Sequence, residues 1–502
     1  MARIVTDYLD ETVKMYPEKI AFADEYESIT YKELKERAYK IASRLASYMD
    51  GKHPVAVCLG QSVAAIVSFL GIAYAGDFYT PIDDSMPVER IKKIIKTLEP
   101  KCFIVGEEFY KNIKAFLPED IRVIIYEECI KDNYDIDLVE KRINTVIDTD
   151  PLYVLFTSGS TGTPKGVIIA HKSVIDYIDW VHDTFKLTSE SILGNQAPFY
   201  FDNSVLDIYA TIRSGATNYI IPRKHFIFPV NLVKFVSEKH INTVFWVPSV
   251  LVQLVNFDLL NEYDISCLRT ILFAGEVMPA KHLNVWRRCL PDAVFANLYG
   301  PTEITVDCTY YIVNREIKDD EPVPIGVPCK NSDVIVLNDA NNLVKAGEKG
   351  ELCVRGKSLS YGYYNDKKKT DEVFVQNPLN QCYYEKIYRT GDIVHYNEFG
   401  ELIYDGRKDF QIKHLGHRIE LGEIETVTSS LPEVEINCCL YNAEKDCIVL
   451  FFVGKIPQDD VRKRLRLLLP EYMIPNKYIQ METMPLNANG KIDRVKLKTM
   501  LD

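Results

Sequence analysis

The strongest constraint on the fold is a regular alternation of short apolar runs with amphipathic ones. Between residues 241 and 300 the order is strand "INTVFWVP", helix "SVLVQLVNF", strand "LRTILFAG", helix "PAKHLNVWRRCL" and strand "AVFANLYG". Short runs dense in Val, Ile, Leu and Phe are the pattern of strands buried on both faces. Strands that alternate with helices predict parallel sheets covered by helices. The first part of the chain shows the same texture. "TYKELKERAYKIASRLASYM" has helical periodicity, "PVAVCLG", "KCFIVG" and "IRVIIY" read as buried strands, and "RIKKIIKTLEP" is a helix between two of them. From about Phe410 the texture changes to short strands ("EINCCLYN", "DCIVLFFVG") and amphipathic helices ("GEIETVTSSL", "QDDVRKRLRLLL"), the pattern of a small α+β domain. The fold class is therefore α/β, with a large multi-layer N-terminal domain of parallel sheets flanked by helices and a small α+β C-terminal domain. The polar link "DGRKDF", Asp405 to Phe410, separates them, giving domains 1–408 and 409–502.

The chain has 502 residues, too many for one hydrophobic core. Its net charge of −12 argues against a general nucleic-acid or anionic-membrane binder. The apolar run "SVAAIVSFLGIAYAG" is too short to span a bilayer and reads as a buried helix. No signal-peptide core opens the chain, and the 12 cysteines lack metal-ligand spacing, so they are expected to be reduced thiols in a cytoplasmic protein.

One loop carries chemistry. After the apolar run "PLYVLF" comes "TSGSTGTPKG", Thr157 to Gly166. Glycines let a backbone approach a ligand closely, while hydroxyls, exposed N–H groups and a lysine all suit phosphate oxygens. The physical reading is a phosphate cradle, although the Walker A spacing is not matched. A flexible surface loop is the alternative for a generic Gly/Ser run.

The string "YVLFTSGSTGTPKGV" resembles the phosphate-binding loop of the adenylate-forming superfamily, which includes amino-acid adenylation domains, acyl-CoA synthetases and luciferases. The other motifs follow in that superfamily's order: "YGPTE" (Tyr299–Glu303), "TGD" (Thr390–Asp392), "GRKDFQIKHLGHRIELGEIE" (Gly406–Glu425) and "NGKIDR" (Asn489–Arg494). The resemblance covers nearly the whole chain. It implies an active site served by a large domain and a small mobile one, with ATP and Mg²⁺ as cofactors. A substrate carboxylate is joined to AMP, and a thiol then displaces the AMP.

The resemblance assigns roles residue by residue. Thr157, Ser158, Gly159, Ser160, Thr161, Gly162, Thr163 and Lys165 would hold the β- and γ-phosphates. Glu303 would hold Mg²⁺, and Thr302 would touch the α-phosphate. Tyr299 offers a flat face to adenine, Asn297 can bond its exocyclic amine, and Asp392 fits the ribose with Arg407 nearby. Lys491 would bridge the substrate carboxylate and the reacting phosphate. Asp409 matches the hinge position, and Gly416 would lie beside the incoming pantetheine arm.

The substrate is indicated by "APFYFDNSVLDIY". Asp202 falls where amino-acid adenylation domains place the partner of the α-ammonium; a fatty acyl substrate has no use for that charge. The remaining pocket positions carry over as Asn203, Leu206, Phe245, Leu272, Ala274, Leu298, Val306 and Asp307. The strings "NQAPFYFDNSVLDIY" and "LFAGEVMP" look most like D-alanine–carrier-protein ligases. Two positions depart from that family: Ala274 replaces a cysteine, and Asp307 replaces a small apolar residue. An acid there resembles serine-activating domains, so serine competes with D-alanine. No "GGxS" carrier site or "HHxxxDG" motif occurs, and "KTMLD" closes the chain, so the thiol is expected on a separate phosphopantetheinylated carrier protein. The rival readings are an acyl-CoA synthetase, against which Asp202 argues, and a catalytically silent binding protein, against which Glu303, Asp392 and Lys491 argue.

Overall fold

The computed structural model describes residues 2–159, 162–414, 416–443, 445–486 and 492–501. It divides into two compact units. The first comprises Met1–Asp84, Leu98–Leu155 and Gly166–Gly406, and the second comprises Ser85–Thr97, Phe156–Lys165 and Arg407–Asp502.

The alternation in the sequence becomes parallel sheet in the first unit. One sheet runs Val294–Tyr299, Thr270–Phe273, Thr243–Trp246, Ile192–Asn195, Thr217–Ile220, Ile20–Ala23, each strand parallel to its neighbour. Its edges are antiparallel: Ser28–Thr30 at one side, Thr309–Ile312 and Val327–Pro328 at the other. A second sheet has the order Gly362–Tyr363, Lys165–Ala170, Pro151–Thr157, Phe78–Pro81, Pro54–Cys58, Cys102–Val105, Arg122–Ile125. A third, antiparallel sheet is built from Ser332–Leu337, Gly350–Gly356, Lys386–Tyr396 and Phe374–Gln376, with Leu402–Arg407 paired to the long strand.

Local chemistry explains the helices between these strands. Tyr31–Ala46 starts at Thr30, whose side chain accepts from the Glu33 N–H while the Glu33 carboxylate returns the bond, a reciprocal cap that satisfies two orphan donors. The run "SVAAIVSFLGIAYAG" is the buried helix Val63–Tyr74, apolar all round because both of its sides are covered. Among the described residues no helix is long and apolar enough to cross a membrane. The cysteines are free thiols, most of them buried as small hydrophobes.

Strand periodicity sorts the residues that matter later. Along Val294–Tyr299, Ala296 and Leu298 join the core that contains Phe245 and Leu272, whereas Phe295 packs with Trp246 and Phe273 in a different cluster. Tyr299 enters a third cluster, with Ile304, Cys308 and Tyr388. A period of two thus assigns successive side chains to opposite faces.

The second unit is α+β. The hairpin Gln411–His414/His417–Glu420 leads into the helix Leu421–Ser429. Strands Val434–Asn442 and Cys447–Gly454 pair antiparallel, and Lys477–Gln480 adds parallel to the latter. The helices Leu421–Ser429 and Gln458–Arg466 supply Ile424, Val427, Val461 and Leu465 to one core with Leu450 and Phe452.

The helix Asn203–Ser214 of the first unit carries a buried acid. Asp207 is 1% exposed and accepts from Asn195 Nδ2 at 2.7 Å, while its Oδ1 has no partner among the described residues. Burial pushes its carboxyl up to about 8, against the pull of the Asn195 bond. A carboxyl raised in the folded state favours folding at low pH and loses that contribution as pH rises toward its folded value. Asp207→Asn keeps the acceptor for Asn195 and removes the charge. The variant is expected to match wild type near pH 4, to gain stability as pH rises, and to lead by about 1–3 kcal/mol from pH 8 upward. Thermal midpoints measured between pH 4 and 9 check this; parallel curves for the two proteins contradict it.

Candidate active site

The site in the first unit is organised by a tight turn after the strand Val294–Tyr299. The chain turns at Gly300-Pro301, makes one 3₁₀ turn over Thr302–Ile304, and returns with the Cys308 N–H bonded to the Tyr299 carbonyl at 2.8 Å. Thr305 and Val306 both adopt positive φ, 61° and 68°. Two consecutive β-branched residues in the left-handed region cost free energy, which the surrounding structure has to offset. Gly300 is required by this turn. A Cβ there would lie 2.3 Å from the Val306 carbonyl oxygen and 2.6 Å from the Asp307 Cα. The Thr305 hydroxyl ties the turn down by donating to the Ser358 carbonyl at 2.8 Å.

The turn buries two carboxylates, and each accepts a tyrosine hydroxyl. Glu303 has no exposed surface; its Oε1 accepts from Tyr363 at 2.8 Å, and its carbonyl accepts from the Ser360 N–H. Asp307 is 2% exposed, and its Oδ2 accepts from Tyr177 at 2.6 Å. Burial and then the Asp307 charge push the Tyr177 phenol well above its ordinary range, so it keeps its proton. Thr302, on the same turn, is buried.

Most of the residues assigned to the amino-acid pocket belong to the same large hydrophobic core as Tyr177, the partner of Asp307. Leu206, Phe245, Leu272, Ala274, Leu298 and Val306 are all buried in one hydrophobic cluster, together with Tyr177. The sheet register explains why. Phe245 is the Cα partner of Leu272, and Leu272 that of Ala296, so these side chains line one row. Ala274 and Leu298 lie two residues further along the same face. Asp202 and Asn203 are half-buried at the start of the helix Asn203–Ser214, where the helix dipole favours a carboxylate. The Asp202 charge reaches both Tyr153 and Tyr177, so Tyr177 feels Asp202 as well as Asp307.

The residues assigned to the nucleoside share another neighbourhood. Tyr299 is buried and its hydroxyl donates to Asp392 Oδ2, which joins the aromatic residue to the acid assigned to the ribose. Asp392 is itself 2% exposed and its N–H bonds the Thr390 hydroxyl. Asn297 donates through Nδ2 to the Pro324 carbonyl at 2.8 Å. That bond orients the amide with its carbonyl oxygen as the remaining acceptor.

The glycine-rich loop belongs to the second unit. Gly159 fits because a Cβ would lie 2.1 Å from the Thr163 carbonyl oxygen, and Gly162 has φ 75°. Three of its donors are engaged within that unit. The Ser158 hydroxyl donates to the Arg418 carbonyl at 2.8 Å, the Gly159 N–H to Glu423 Oε2 at 3.1 Å, and Lys165 lies 3.5 Å from Glu420. Glu423 is also paired with the buried Arg90 at 2.8 Å. The Thr157 Oγ1 is buried with no hydrogen-bond partner among the described residues. Ser160, Thr161 and Lys491 lie outside the described residues. Arg407 holds Asp409 in a bidentate pair, at 2.6 and 2.8 Å. Burial works against the Asp409 charge, but Arg407 wins and keeps its carboxyl below the ordinary range. Gly416, φ 76°, forms the turn of the hairpin Gln411–His414/His417–Glu420.

Sequence reasoning missed Tyr177 and Tyr363. Tyr177 lies on the inward face of the helix His171–Phe185 among Val174, Ile178 and Val181. Its one local signal is a polar tip on an otherwise apolar stripe, which says nothing about a partner 130 residues away.

A sequence profile described as the AMP-binding enzyme family matches residues 9–364. The D-alanine–D-alanyl carrier protein ligase of Listeria monocytogenes is 34% identical, with 94% of each chain covered. Gramicidin S synthase 2 of Brevibacillus brevis is 32% identical over 98% of this chain, which spans only 11% of that relative's length. In structure, the adenylation domain AlmE of Vibrio cholerae, solved with glycyl-adenosine-5'-phosphate, matches with a TM-score of 0.86. That match has 21% identity and covers 100% of this chain and 98% of the other.

The turn makes a steric prediction. Gly300→Ala forces its Cβ against backbone atoms that cannot swing aside, so the turn has to move. A loss of about 1–3 kcal/mol is expected. The control is Gly400→Ala, where a Cβ meets nothing within 4 Å and only the φ of 73° is paid for. Thermal unfolding of both variants decides; an unperturbed Gly300→Ala midpoint contradicts the account of the turn.

Proposed function

Because the chain belongs to the family of AMP-binding enzymes, we propose that it activates a small amino acid with ATP and passes it to the phosphopantetheine thiol of a separate carrier protein. A carboxylate oxygen of the amino acid bonds to the α-phosphorus, and the bond from that phosphorus to the bridging oxygen breaks, releasing pyrophosphate. The thiol sulfur then bonds to the acyl carbon as the bond to AMP breaks, and the thiol proton goes to solvent. Both steps gather anions, so they depend on positioned donors and cations.

The observation that carries this reading is the buried bond from Tyr177 to Asp307, with Asp202 close enough for its charge to reach the same tyrosine. Asp202 suits an α-ammonium at the mouth of the helix Asn203–Ser214, while Asp307 is buried beside Val306 and bonded to Tyr177, both part of the apolar core to which the pocket residues belong. A dry pocket containing a carboxylate favours a substrate with a donor over one with a bare methyl group. That favours serine over the D-alanine of the carrier-protein ligases.

The nucleotide assignments have physical support. The orphaned Thr157 hydroxyl is a donor whose burial is costly until an acceptor arrives. Among the described residues no group of three or more His, Cys, Asp or Glu could hold a metal. The buried Glu303 fits Mg²⁺ nevertheless, because that ion takes one or two carboxylates and completes its shell with water and phosphate. When bound, Mg²⁺ offsets the phosphate charge. Tyr299 and Asp392 would hold the nucleoside, and Lys491 would meet the substrate carboxylate.

ATP–pyrophosphate exchange over both enantiomers of serine and alanine tests the proposal. Exchange is expected with serine and, more weakly, with alanine. It should fall by roughly 10²–10³ in Lys491→Ala, and Asp202→Ala should lose amino-acid activation while ATP binding persists. Holo-carrier protein should accept the acyl group where free CoA does not. Exchange driven by fatty acids, or an Asp202→Ala enzyme with an unchanged KM for its amino acid, overturns the reading.

A further inference from the structure

We propose that Tyr177 determines the specificity of this pocket: by holding the carboxylate of Asp307, it sets that group to accept the hydroxyl of a short hydroxylated amino acid. The proposal rests on the amino-acid-activating reading above and names a residue which that reading does not contain.

The geometry constrains Tyr177 at both ends. Its ring is buried in the helix His171–Phe185 and packs against Trp180, 5.7 Å between ring centres, and Trp180 in turn meets Tyr310 edge-on at 5.1 Å. Its hydroxyl donates to Asp307 Oδ2 at 2.6 Å, a short bond of the charge-assisted kind. A phenol fixed in this way has no freedom to leave the carboxylate. On the other side, Asp307 comes from a turn whose backbone is fixed by the positive-φ pair Thr305 and Val306. The donor is held by ring packing and the acceptor by its turn, so the bond constrains the orientation of the carboxylate.

Two consequences follow for the ligand. First, a carboxylate accepts about four hydrogen bonds, so one bond from Tyr177 does not fill Asp307. Tyrosine donates a proton without carrying a positive charge, so this bond does not itself offset an Asp307 charge. Second, Tyr177 shares its cluster with Leu206, Phe245 and Leu298. A long side chain would have to displace a ring that Trp180 holds in place, so short side chains fit. A hydroxymethyl group meets both demands; a methyl group meets only the second.

The test measures kcat/KM for serine and for alanine, by exchange, in wild type, Tyr177→Phe, Asp307→Ala and the double variant, with the KM for ATP alongside. Tyr177→Phe removes one oxygen and is expected to lower the serine-to-alanine ratio about tenfold, with the loss falling on serine more than on alanine. Asp307→Ala is expected to lower the ratio further, and adding Tyr177→Phe to it is expected to change nothing, because the tyrosine acts through the acid. Asp307→Asn, which keeps the shape and removes the charge, is the second route should a variant fold poorly; it too should lose the preference for serine. An unchanged ratio in Tyr177→Phe, an equal loss for both amino acids, or additive effects in the double variant overturns the role of Tyr177 while leaving amino-acid activation standing. Wild-type enzyme that exchanges with neither serine nor alanine overturns the substrate reading and this proposal with it.

Discussion

The structure depends on how it accommodates carboxylates away from water. Glu303, Asp307 and Asp392 are all buried, and each accepts a hydroxyl from a tyrosine: Tyr363, Tyr177 and Tyr299. A desolvated carboxylate without donors is expensive and takes up a proton instead. A phenol that keeps its proton supplies one such donor without adding a charge of its own. Burial and the neighbouring carboxylate raise both Tyr177 and Tyr299 well above their ordinary range, so both remain donors. Such a site is suited to ligands that bring cations or donors of their own, as a magnesium-bound nucleotide, a ribose and an amino acid do.

Two of these acids come from one turn, and that turn ties the site to the sheet. The strand Val294–Tyr299 points Leu298 toward the pocket cluster and Tyr299 toward Asp392. The turn that follows adds Glu303 and Asp307 within nine residues of Tyr299. Its cost is local, in the backbone of Thr305 and Val306 and in the absence of a side chain at Gly300. Left-handed β-branched residues persist only where the surroundings over-determine them. Here the bonds from Cys308 to Tyr299 and from Thr305 to Ser358, with Val306 buried, supply that constraint.

Much of this was legible in the chain. The alternation over 241–300 gave parallel strands at Thr243–Trp246, Thr270–Phe273 and Val294–Tyr299, because short apolar runs separated by amphipathic helices suit strands covered on both faces. The motif "YGPTE" marked the turn, and its glycine has a measurable steric cause. Less was legible between 330 and 407, where short antiparallel strands separated by charged loops give weak periodicity and long-range pairing decides the sheet. Tyr177 and Tyr363 were hidden for a related reason. A tyrosine on an apolar helix face or at a strand edge reads as packing, and the acid it serves is specified only by the fold. The neighbourhood of the glycine-rich loop was equally silent: nothing near Ser158 or Gly159 in the sequence points to Arg418 or Glu423.

The central claim is that tyrosine-held carboxylates form the ligand-binding surface of this enzyme. It is tested most directly by a crystal structure of the protein with a non-hydrolysable sulfamoyl analogue of seryl-AMP. The account predicts that Asp307 accepts from Tyr177 and from the serine hydroxyl at the same time. It also predicts the ribose hydroxyls on an Asp392 still held by Tyr299, and the α-ammonium at Asp202. A serine hydroxyl bonded elsewhere, or a Tyr177 that has turned away from Asp307 on binding, would contradict it.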